Sequence, residues 1–200
     1  MGNSKRMDYQ NNSVRLYTSQ NTIVIERLKE TKRYVVKSKF IQDKYGEVAP
    51  VFSQAYSWYH HHARSLVPPP EDAESAIWTF TDIKYLDNHE DAVLMELSVP
   101  IDNVIFFRMS DWNKVLNLQF LGSEIEVKQY KDKLKKFNIA YEGDVFNTSF
   151  YPILKRELLT SWEQLFQYDE WIKRTKELPF EDIQGGIWEI KASWVHSFMD

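Results

Sequence analysis

The chain has no cysteine among its 200 residues. Disulfides, thiolate metal sites and cysteine nucleophiles are therefore excluded, and the composition suits a reducing compartment. Glycine is scarce, at six residues, and none of them falls in a phosphate-cradling pattern; G-x-S-x-G and H-E-x-x-H are missing too. No apolar run reaches the roughly 18 residues of a membrane span. Met1 to Ser13 is polar and has no apolar middle of the kind a signal peptide needs. Positive charge is not in excess: the formal net charge is −4, which argues against general nucleic-acid binding. The expected address is cytoplasmic, with no membrane contact.

What is abundant is aromatic. Twelve Phe, eleven Tyr and seven Trp accompany a hydrophobic content of 43%, enough for one well-packed domain. Trp and Tyr need partners for N–H and O–H when buried, so the core should have a partly polar lining.

Residues 1–13 read as a flexible lead-in and residues 14–200 as one globular domain. Val14 to Thr18 alternates as a strand, and Ser19 or Asn21 can cap a helix behind it, with Ile23, Ile25, Leu28 and Val24 facing inward. A helix from Pro50 to Leu66 carries Phe52, Ala55, Tyr56 and Tyr59 at helical spacing and must stop at Pro68-Pro69-Pro70. Ile77 to Thr81, Ala92 to Val99 and Val104 to Phe107 are strands. Ser110 or Asp111 caps a short helix through Leu116. Glu124 to Phe137 is amphipathic, with Val127, Tyr130, Leu134 and Phe137 as its stripe; Glu124 with Lys128 and Asp132 with Lys136 form i,i+4 pairs. A helix from about Pro152 to Tyr168 places Trp162, Leu165 and Phe166 on one face, and a last strand runs from Ile187 to Ile190. Scattered strands among helices give an α+β fold.

Two groups of residues that suggest a site have simpler readings. His60, His61 and His62 are consecutive on a helix, so they project about 100° apart and cannot chelate one ion; a solvated helix surface is expected, and no metal. Glu71, Asp72 and Glu74 form an acidic loop after the prolines. Three places hold more promise. Tyr17, Thr18 and Gln20 lie where a strand becomes a helix. Trp78 and Phe80 alternate with Thr79 and Thr81. Gln184 is followed by Gly185 and Gly186, which permit close approach of a neighbour or a ligand.

In order along the chain stand Leu16-Tyr17-Thr18-Ser19-Gln20, Ala55-Tyr56-Ser57-Trp58, Pro68-Pro69-Pro70-Glu71, Ala76-Ile77-Trp78, Val99-Pro100, Ser110-Asp111-Trp112, Ser161-Trp162-Glu163 and Ile183-Gln184 with Trp188-Glu189-Ile190. This series resembles a family of small bacterial proteins known only as a domain of unknown function. The order of the same segments is more distantly similar to the ADP-ribosyltransferase fold. That resemblance implies a split, bent β-sheet flanked by helices, with nicotinamide adenine dinucleotide (NAD) in a central cleft. It places Thr18 and Gln20 on the nucleotide, Trp78 against a ring, Gln184 on the ribose and Asp111 as a carboxylate from a nearby loop. The chain departs from that pattern where Thr18 replaces a first-strand His and where no carboxylate stands beside Gln184. Glu189 falls on the opposite strand face. A nucleotide-binding domain with atypical or lost catalytic residues is one expectation. The alternative is a non-enzymatic module that acts on a protein partner, for which aromatic-rich surfaces are suited.

Overall fold

The computed structural model describes residues 7–8, 11–37, 49–86 and 92–199. Most of the expected lead-in lies outside them, but β1 (Met7–Asp8) pairs with Val14 and Ser13 of β2 (Ser13–Asn21). Asn21 then caps α1 (Thr22–Thr31) by accepting the Ile23 N–H at 3.0 Å. Its inward residues are Val24 and Leu28, while Ile23 is exposed. The strand runs three residues past Thr18 to Asn21, one of the two expected caps, and the helix turns Ile23 outward.

A short β3 (Arg33–Tyr34) precedes α2 (Ala49–Leu66), and β4 (Ile77–Phe80) and β5 (Ala92–Pro100) follow. The Phe52 side chain is outside the described ones. After β6 (Ile105–Arg108), α3 (Met109–Leu116) begins directly. Neither Ser110 nor Asp111 caps it. Asp182, remote in sequence, accepts from both the Ser110 N–H at 3.3 Å and its hydroxyl at 2.7 Å.

Ser123 and Glu126 form a reciprocal capping box on α4 (Glu124–Lys136). Tyr130 and Leu134 are buried, whereas Phe137 lies beyond the helix and is half exposed. The ion pairs on this helix differ from the expected ones: Asp132 takes Lys128 at 2.7 Å and Lys135 at 3.3 Å.

The expected helix over 152–168 is two pieces, and a separate helix begins beyond it. α5 (Pro152–Ser161) gives way to a 3₁₀ run, Trp162–Phe166, and then α6 (Asp169–Thr175). Ser161 explains the break. Its hydroxyl donates to the Leu158 carbonyl at 2.6 Å and accepts the Leu121 N–H at 3.0 Å, a local competition with helical bonding. The Trp162 indole donates to the Gln119 carbonyl at 2.8 Å, which fixes the tightened turn.

The last part also differs from expectation. β7 is Ile183–Ile187, with Gln184, Gly185 and Gly186 inside it; β8 (Ile190–Lys191) pairs with β3, and β9 (Val195–Met199) with β5. Two glycines hide a strand from any reading based on alternating apolar side chains. The main sheet is antiparallel with order β6-β7-β4-β2-β5-β9. β2 pairs along its whole length with β5, but reaches β4 through one residue pair, Tyr17 with Phe80.

Apolar side chains fill both sides. On one, α2 to α5 and the 3₁₀ run bury Tyr59, Phe107, Trp112, Tyr130, Leu158 and Trp162. On the other, α1 and α6 bury Leu16, Met95, Leu97, Phe106, Ile172 and Ile183. No described helix is long and apolar enough to cross a membrane.

Candidate functional site

Strand pairing decides which candidates share a surface, because residues directly opposite one another point to the same side. Gln184 lies between Phe107 of β6 and Phe80 of β4, and Phe80 lies opposite Tyr17 of β2. Two positions along, Gly186 lies between Ile105 and Trp78. Gln184 and Trp78 therefore project from one face of the sheet, toward α2. By the same alternation Tyr17 and Ser19 belong to that face, and Thr18 and Gln20 to the other. Thr18 is buried beside Leu16; its hydroxyl donates to the Trp78 carbonyl at 2.9 Å and receives the Gln20 amide at 2.8 Å. The structure brings Gln184 and Trp78 together and sets Thr18 and Gln20 behind them.

Asp111 sits in the first turn of α3, and its carboxylate accepts from Lys114 at 3.2 Å. The next residue, Trp112, is the one that meets Trp78, with ring centroids 4.9 Å apart. Glu189 follows β7 and binds Arg33 together with Lys191, the latter at 3.2 Å. Arg33 in turn holds Asp72 of the acidic loop at 2.7 Å.

Tyr59 is the residue that sequence reasoning left in the core stripe of α2. Its ring lies edge-on to Trp78, Phe107 and Trp112 at 4.9, 5.6 and 5.4 Å. Contacts of this geometry contribute about 0.5–1.5 kcal/mol each beyond burial. The hydroxyl reaches the β7 backbone, and a Cβ at Gly186 would overlap it. At Gly185 a Cβ would approach Thr79 Oγ1 and Val104 Cγ1 to 2.8 Å. The expected close approach at both glycines is made by protein neighbours.

Polar bookkeeping marks this face. The Tyr59 hydroxyl, Gln184 Oε1 and Ser19 Oγ are buried and have no hydrogen-bond partner among the described residues. Leaving such a group unpaired costs roughly 1–3 kcal/mol. The rest of the neighbourhood is well satisfied: Trp78 donates its indole N–H to the Tyr56 hydroxyl at 3.1 Å, and Thr79 its hydroxyl to the Gly185 carbonyl at 2.8 Å. Burial, and secondarily the negative charge of Asp169, holds the Tyr59 phenol well above its ordinary range. It is a neutral hydrogen-bond donor at any physiological pH. With the Gln184 oxygen as acceptor, the pair can address a ligand that carries both a donor and an acceptor.

A match to the family model of a domain of unknown function (DUF3841) spans residues 15–196. The chain belongs to that family. The match covers every element from β2 into β9, so the Gln184 face lies wholly within the family's domain. Comparison with curated proteins and with solved structures gave no match.

Other places in the molecule are less suited to chemistry. The histidines of α2 are not a uniform solvated surface: His62 stacks on Trp58 at 4.3 Å and His60 lies edge-on to Trp188 at 5.2 Å. Among the described residues no group of His, Asp and Glu could hold a metal ion. An open cavity of about 450 Å³ beside α1 includes Arg27, Arg33, Lys37 and Asp72 in its wall. Arg33 there is held by Asp72 and Glu189, and Lys37 by the Asp72 carbonyl at 2.5 Å and Glu74 at 3.5 Å.

Proposed function

We propose that the chain binds a nucleotide on the β4–β7 face, as an ADP-ribosyltransferase-like domain that keeps a ligand site and lacks the carboxylate for transfer. The observation that carries this reading is the pair of buried, unpartnered polar atoms, Tyr59 Oη and Gln184 Oε1, on a face floored by aromatic rings. Ligand sites have this composition: mostly apolar and aromatic walls with a few convergent polar groups. NAD fits these groups. The Gln184 amide suits a ribose hydroxyl, the neutral Tyr59 hydroxyl donates to an acceptor, and the half-buried Trp78 offers ring surface for stacking.

The missing carboxylate separates binding from catalysis. Along the row through Gln184 the carboxylate among the described residues is Glu96, reached through Phe80 and Tyr17. Three strand spacings put it roughly 14 Å away, and it is held by Arg15 at 2.8 Å and Ser197 at 3.0 Å. A neutral amide does not supply the negative charge that an oxocarbenium-like transition state needs.

Calorimetric titration with NAD and, in parallel, ADP-ribose tests the reading. Saturable binding is expected, weakened about tenfold or more by Tyr59→Phe and by Gln184→Ala, which corresponds to ~1.4 kcal/mol or more. Absence of heat with both ligands from a folded sample would overturn it.

A further inference from the structure

The corner where α4 ends and α5 begins exposes an apolar cluster that the fold does not use. Phe150 is 84% exposed, Ile153 69% and Phe137 52%. The exposed apolar residues elsewhere, such as Ile23, Ile83 and Phe198, sit on separate elements. Here several meet. The Phe137 ring lies 5.5 Å from Tyr151. Lys133 of α4 holds both carboxylate oxygens of Glu157 of α5, at 3.0 and 2.8 Å, and Tyr130 donates to the Leu154 carbonyl at 3.1 Å. Phe137 is four residues after Lys133 and Ile153 four before Glu157. Phe137 and Ile153 thus each lie about one turn from the residues of that ion pair along their own segments. Phe150 and Tyr151 immediately precede α5.

The charge beside that cluster is mainly positive, with Asp132 and Glu157 held by lysines. Lys136 adjoins Phe137, and Arg156 lies three residues from Ile153 on the same side of α5. Both are exposed, and neither has an ion pair among the described residues. Lys155 lies over the Phe146 ring at 4.9 Å, and Lys135 shares Asp132 with Lys128. A basic rim on a chain of net charge −4 is a local feature, and it complements an acidic partner.

We propose that this corner docks an acidic segment of a partner protein, which places an apolar side chain between Phe137, Phe150 and Ile153 and its carboxylates against Lys136 and Arg156. Exposed apolar anchors with cations beside them complement a segment that carries an apolar anchor and carboxylates of its own. A membrane-surface helix would instead carry a continuous apolar face along one helix. On α4 the inward residues Tyr130 and Leu134 are buried in the protein, and its exposed Ile125 lies at the end opposite Phe137, so no continuous apolar face runs along it.

The test is selection of a random twelve-residue phage-displayed library on the immobilised full chain, with enriched peptides measured by fluorescence anisotropy. Enriched sequences should place Asp or Glu around an apolar anchor. Phe150→Ala/Ile153→Ser should weaken them about tenfold or more, the behaviour of anchor residues. Lys136→Glu/Arg156→Glu should do the same without touching the apolar cluster, and keeps the test valid if the first variant folds poorly. No enrichment, enrichment of sequences without acidic residues, or unchanged affinity in both variants would overturn the proposal. So would capture of the chain on phosphatidylserine vesicles through these residues.

Discussion

At the scale of single residues, the contact between Tyr59 and Gly186 ties stability to the candidate site. An unpartnered buried hydroxyl costs the folded state free energy, so Tyr59→Phe should leave the melting temperature unchanged or higher while it weakens nucleotide binding. A residue that served packing alone would leave nucleotide binding unchanged. Gly186→Ala forces a Cβ into the Tyr59 hydroxyl and should destabilise by about 1–3 kcal/mol, the usual range for overpacking. In a Tyr59→Phe background the same change should cost less, a non-additivity that a double-mutant cycle in urea measures. His60 supplies a pH dependence. Its ring packs edge-on against Trp188. Burial first, then the neighbouring charges of Arg64 and His61, hold it below its ordinary value, against a raising hydrogen bond to the Ala73 backbone. The unfolded chain therefore takes up this proton at higher pH than the folded one. The contribution of neutral His60 is fully present above about pH 6.5 and is lost as pH falls through the lower folded value. Urea midpoints measured from pH 8 to pH 5 should fall, and His60→Gln should flatten that fall.

At the scale of elements, β6 shows how an edge strand is closed off. Its Phe106 N–H donates to Asp169 Oδ1 at 2.8 Å, and Oδ2 of the same carboxylate takes Lys173 at 2.8 Å. Asp169 occupies the backbone group that would otherwise invite another strand. Asp169→Ala leaves a buried N–H and a half-buried ammonium without their acceptor, and should cost about 3–5 kcal/mol, as loss of one partner of a buried pair does; thermal melts with light scattering would register both the loss and any added association. None of this was legible in the sequence, because the partners are far apart along the chain. Elements with strong local signals were legible: α2 with its proline stop, α4 with its apolar stripe, and the strands at Ile77 and Ala92. The breaks at Ser161 and the strand at Ile183–Ile187 were not. One depends on a hydroxyl shared with Leu121, and the other has glycines where a strand would show apolar side chains. Alternation and the glycine pair draw attention to Gln184 and Trp78, which share one face of the sheet. Their neighbour Tyr59 was missed because a tyrosine in an apolar helix stripe reads as core, and the parity of β2 that selects Tyr17 and Ser19 over Thr18 and Gln20 is set only by pairing.

At the scale of the whole molecule, the two apolar layers are coupled through shared strands. β6 gives Ile105 and Phe107 to one layer and Phe106 to the other; β7 gives Ile183 and Ile187 to one while Gln184 and Gly186 face its opposite. Neither layer can dissolve without exposing the back of the sheet that supports the other. The single Tyr17–Phe80 pair is a thin joint between half-sheets, yet Leu16 and Ile77 bury their side chains in the same layer beside it. Unfolding should therefore be one cooperative event. The tryptophans make this testable, because Trp58, Trp78, Trp112, Trp162 and Trp188 all lie in or against the first layer. Leu97, fully buried in the second layer, is remote from most of that signal. Leu97→Ala should destabilise by about 2–5 kcal/mol, and should move the tryptophan-fluorescence and far-UV circular dichroism midpoints in urea together. A variant whose circular dichroism shifts while its fluorescence transition stays in place would mean that the two layers unfold separately and that the joint at Tyr17 is a boundary.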